Sequence, residues 1–99
     1  MNYLKTFIEN CQAYLKSQSV DVSNSPTKSQ RKVEYERKLK RKYRNLKAEL
    51  SRQADNWGDL AYEKGNADIS KLRTDMLNEI RTILRDWEDE QKEKSGLYD

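Results

Sequence analysis

The stretch Leu39-Lys40-Arg41-Lys42-Tyr43-Arg44-Asn45-Leu46-Lys47-Ala48-Glu49-Leu50 decides the fold. Its apolar residues recur at intervals of three and four, the period of one face of an α-helix, while almost every position between them is polar or charged. The rows continue downstream with Tyr43, Leu50 and Trp57 seven apart and Leu39, Leu46 and Leu60 on the companion register. Gln53 interrupts the second row, and Ala54 beside it is placed to take over its contact. This pattern predicts a long helix with a coiled-coil-like seam.

Punctuation sets its limits. The long helix is expected to start near Pro26 with Ser25 or Thr27 as cap, and Gly65-Asn66 predicts a stop after about Lys64. Asn56 and Gly58 weaken the middle, the glycine by about 1 kcal/mol relative to Ala, which predicts a kink or break around residues 56–59.

Beyond the stop, Ile69, Leu72, Met76, Leu77, Ile80, Ile83, Leu84 and Trp87 predict another helix. It begins at Asn66 or Asp68, runs to about Lys94 and ends at Ser95-Gly96. Two matching apolar rows joined by so short a turn fold back antiparallel. With equal rise on both helices, facing residues have numbers summing to about 132, so Leu50 meets Ile83, Leu46 meets Trp87 and Trp57 meets Met76. The apolar face after the turn is broader than one neighbour covers. Leu4, Phe7, Ile8, Cys11, Tyr14 and Leu15 supply a further amphipathic stripe.

The expected fold is all-α. A long antiparallel helical hairpin over residues 28–94 joins a short N-terminal amphipathic helix over 1–16 in a three-helix arrangement, with a mobile linker at 17–27 and a tail at 95–99. The first helix packs on the hairpin or, since the linker permits a swap, on a partner chain. The same heptads also permit a homodimer.

Ninety-nine residues allow one domain with a modest core, and 34% hydrophobic against 37% charged residues leaves little apolar surface to spare. The net charge of +3 hides a sorting by segment. Eleven Lys or Arg against three carboxylates lie between Lys28 and Arg52, and the excess after residue 52 is acidic. By the fold-back arithmetic, the run Asp86-Trp87-Glu88-Asp89-Glu90-Gln91-Lys92-Glu93 should lie against Arg44 back to Leu39 and answer part of that charge.

Chemistry is constrained by what is missing. There is no His and one Cys, which removes the usual zinc and transition-metal ligands and the side chain best suited to proton transfer near neutral pH. No cofactor, metal site or enzymatic activity is expected. Asp55, Asp59 and Glu63 read as solvated surface, and Cys11, inside an apolar stripe, as a structural thiol. A lone Cys forms no internal disulfide, no run approaches the roughly twenty apolar residues that span a bilayer, and the N-terminus lacks a signal-peptide core. The chain is expected to be cytoplasmic and off the membrane.

The candidate partner-binding residues are Arg31, Lys32, Arg37, Lys38, Lys40, Arg41, Lys42, Arg44 and Lys47. They predict a small non-enzymatic intracellular protein-interaction module acting through its basic long helix. Its partner would be a larger protein or complex, for which it serves as adaptor, assembly factor or inhibitor, as small phage or mobile-element proteins do. The alternative is a nucleic-acid-binding protein using residues 28–52 on a phosphate backbone. Tyr35 and Tyr43 belong to the seam and read as packing rather than as base-stacking rings.

Overall fold

The structure, a computed structural model, describes residues 2–65 and 68–98. Three helices follow in order, α1 (Tyr3–Lys16), α2 (Lys28–Glu63) and α3 (Ile69–Ser95). Each begins at a side-chain cap that occupies an otherwise unpaired backbone N–H. Asn2 accepts from the amide of Lys5 at 3.0 Å, Thr27 from Gln30 at 3.1 Å and Asp68 from Lys71 at 3.1 Å. Gly96 ends α3 at φ 70° and Gly65 follows α2 at φ 85°, a left-handed conformation that costs other residues a steric penalty. The alternative start at Asn66 lies outside the described residues.

The helices form a rod of 57 × 18 × 18 Å. Its core joins Phe7, Cys11 and Leu15 of α1 to Tyr35, Leu39, Leu46, Leu50 and Ala54 of α2 and to Met76, Ile80, Ile83, Leu84 and Trp87 of α3. The first helix therefore packs on the hairpin within the same chain. Tyr3 meets Trp57 edge-on at 6.4 Å, near the hairpin turn, and residues just past the end of α1 meet Trp87. That places α1 antiparallel to α2 and parallel to α3. Ala54 is 1% exposed and takes the contact that half-buried Gln53 leaves open, as expected.

Two local expectations are corrected. No break occurs over residues 56–59, for α2 is continuous through Gly58. A Cβ at Gly58 would stand 3.2 Å from Cγ of Arg73, so the glycine, with Ala54 and Ala61, lets α3 come close, and packing outweighs weak propensity. Leu77 is 48% exposed and stands outside the seam, because Met76 and Ile80 occupy the core-facing side of that turn.

Residues 18–26 are not a loose tether. They have no regular secondary structure, yet Val20 and Val22 pack on the core. The indole N–H of Trp87 donates to the carbonyl of Gln18 at 3.1 Å, and the amide of Val20 donates to Oε1 of Gln91 at 3.2 Å. The segment is a strap across the open end of the hairpin. The tail closes the same end: Leu97 is buried, and Tyr98 lies 6.4 Å from Tyr35.

Among the described residues one buried side-chain polar group lacks a partner. Tyr35 is fully buried, and its hydroxyl makes no hydrogen bond. An unsatisfied buried hydroxyl costs about 1–3 kcal/mol, so Tyr35→Phe is expected to raise stability in urea denaturation, by about 1 kcal/mol. A loss of stability in this variant would mean that the hydroxyl has a partner in solution.

Candidate functional site

Because α2 turns Tyr35, Leu39, Leu46 and Leu50 inward, its helical period sets Arg37, Lys40, Arg41, Arg44 and Lys47 on the opposite, outer face. All five are exposed, and their spacing of three, four, seven and ten from Arg37 draws one stripe about 15 Å long. Among the described residues none of the five makes an ion pair. Lys38 is exposed on the flank, and Lys42 is half-buried beside the seam.

The remaining two predicted binding residues serve the fold. Arg31 donates from Nη1 to the carbonyl of Ser25 at 2.8 Å and holds the end of the strap. The ammonium of Lys32 sits 4.7 Å from the ring centroid of Tyr98, with Lys92 at 5.6 Å, so the tail ring gathers two cations. The structure thus gathers five of the nine candidates into a stripe and draws Arg31 and Lys32 away from it.

The carboxylates of the basic segment are engaged elsewhere. Glu34 accepts from the hydroxyls of Ser23 and, at 2.6 Å, Ser25, and these bonds hold its carboxyl below the usual range, helped by the charges of Lys38 and Arg37. Glu36 accepts from the Tyr98 hydroxyl at 2.9 Å. Burial first, then this carboxylate, pushes Tyr98 up to about 12. Glu49 binds Arg52 one turn along the helix at 2.6 Å.

Among the described residues no ion pair joins the acidic run of α3 to the basic run of α2. Glu88 pairs with Lys92 at 3.7 Å and Glu90 with Lys94 at 2.8 Å, both within α3. A partner one helical turn away is reached with little extra ordering. The helical period also rotates Asp86 and Glu90 toward α1, where they line a cleft of about 420 Å³ with Gln12, Leu15, Lys16 and Gln91. Across the hairpin, the ion pair among the described residues is Arg73 with Asp55, toward the turn. Asp55 is one of the three carboxylates read from the sequence as surface.

No sequence signal marked Ser23, Ser25 or Tyr98, since strap and tail are not periodic, or Glu34, which stands off the apolar rows of α2. Gln91 had a faint one, four residues beyond Trp87 on the same face. Cys11 is fully buried, and burial pushes its thiol up to about 11, which keeps it protonated and unreactive near neutral pH. Among the described residues no three His, Cys, Asp or Glu side chains group as metal ligands, and no helix is long and apolar enough to cross a membrane. No protein-family model matches the chain, and no curated protein or solved structure is significantly similar to it.

Proposed function

We propose that this chain is a non-enzymatic interaction module that docks through the outer face of α2 onto an acidic partner. One observation carries the reading: five cations share a face and, among the described residues, none of them makes an ion pair, while Glu34, which feels the charge of Arg37, is hydrogen-bonded to Ser23 and Ser25, Glu36 to Tyr98 and Glu49 to Arg52. Such a face gains by meeting negative charge and raises the rate of encounter with it. An acidic surface on a larger protein or complex fits, with the chain as adaptor, assembly factor or inhibitor. A nucleic-acid backbone fits as well, and it is favoured by the lack of an apolar anchor among the five stripe residues, since stable protein interfaces centre on such anchors.

The test compares the wild-type chain with the variant Arg37→Glu, Arg41→Glu, Arg44→Glu in cross-linking within the native host. The helical circular-dichroism signal should be unchanged, because all three side chains are exposed. The partner recovered in stoichiometric amount with the wild type is expected to be lost with the variant. A variant that keeps its partner would move the docking surface off α2.

A further inference from the structure

We infer that the partner of the α2 stripe is the phosphate backbone of duplex nucleic acid, contacted without reading sequence. This rests on the docking reading above and adds the class of partner to it. Arg37, Lys40, Arg41, Arg44 and Lys47 extend about 15 Å along the helix axis, a length matched by about four or five phosphate steps of one strand. Each carries a full charge on a long exposed side chain, and each phosphate it neutralises releases condensed counterions. The nearest large exposed apolar side chain on α2, Val33 at 49%, stands one turn before Arg37, and exposed Ala48, four residues after Arg44, adds only a methyl group, so the stripe has no large hydrophobic centre.

The same geometry selects duplex over single strand. Single-strand binders stack bases on aromatic rings set among their cations. Here Tyr35 is buried and Tyr43 half-buried on the seam side of α2, and none of the five stripe residues is aromatic. Contacts from these five cations to phosphate oxygens fix position and carry no sequence information, in contrast to the guanine edges that Arg and Lys can also reach in the major groove. Residues 53–99, with their acidic excess, are repelled by the same polyanion, so the charge sorting orients the molecule with α2 toward the backbone.

Fluorescence anisotropy on a labelled 20-base-pair duplex, over a series of salt concentrations upward from 50 mM, tests this. Five phosphate contacts predict that log K falls with log salt at a slope of about −4.5, the same for duplexes of unrelated sequence. The variant Arg37→Gln, Arg41→Gln, Arg44→Gln should bind more weakly with a slope near about −2. The variant Lys5→Gln, Lys71→Gln, Arg85→Gln loses as many charges from exposed positions off the stripe and should retain the wild-type slope. Equal weakening by the two triple variants would overturn the assignment to this face, and equal affinity for the single strand would overturn the choice of duplex. No duplex binding at 50 mM salt, with poly-L-glutamate still bound and that binding lost in the stripe variant, would sink the nucleic-acid inference and leave the docking reading standing. Failure to bind either polyanion would remove both.

Discussion

Phe7→Ala is expected to cost about 3–5 kcal/mol in the free energy of unfolding, the usual range for truncating a buried aromatic side chain. Phe7 is fully buried in a single chain, in the same core as Cys11, Leu15 and the hairpin's apolar residues. Domains of this size are held by about 5–15 kcal/mol, so the loss brings the variant close to unfolding at physiological temperature. Urea denaturation followed by far-ultraviolet circular dichroism measures it. Had α1 packed on a partner chain instead, the truncation would leave the hairpin's own midpoint in place and make the loss depend on protein concentration.

Trp87→Ala should be as damaging, at about 3–5 kcal/mol, for two separable reasons. Its ring is 4% exposed and lies where α1, the strap and α3 converge. Its indole N–H also holds the carbonyl of Gln18. Trp87→Phe keeps much of the packing and drops the bond, worth about 1 kcal/mol, so the difference between the two variants apportions packing and strap. Hydrogen exchange reads the second part directly, since the Val20 amide should lose protection in Trp87→Phe ahead of the amides in the middle of α2. Unchanged exchange at Val20 would show that Gln91 and the other strap contacts hold this amide without the indole bond.

What the sequence made legible was whatever repeats. The α1 stripe, the heptads of α2 and the apolar face of α3 place three helices with boundaries close to those observed, because burial imposes a period that survives in the order of residues. Gly58 misled because its propensity is local, whereas the close approach of Arg73 depends on the other helix. The strap and tail were illegible for a related reason. Ser23, Ser25 and Tyr98 act through single hydrogen bonds to Glu34 and Glu36, and an isolated contact leaves no pattern along the chain. At the candidate site the sequence supplied the cations, but no ion pair among the described residues joins them to the acidic run as the fold-back arithmetic had placed it. Summing residue numbers gives the level of Glu88 and Glu90 along the rod and says nothing of the side to which they point. Within α3, Glu88 pairs with Lys92 and Glu90 with Lys94.

The proportions of the rod reach into how this protein is weighed. Its radius of gyration is 16.5 Å, against about 13 Å for a compact chain of this length. A gel-filtration column sorts by hydrodynamic size, so a single copy will emerge early, at a volume calibrated for a heavier globular standard. That early peak imitates the homodimer the heptads permit. Light scattering, which reports mass without regard to shape, separates the two, and a rod this slender also tumbles unevenly, so amides along α2 and across the turn will relax at rates set by their angle to the long axis.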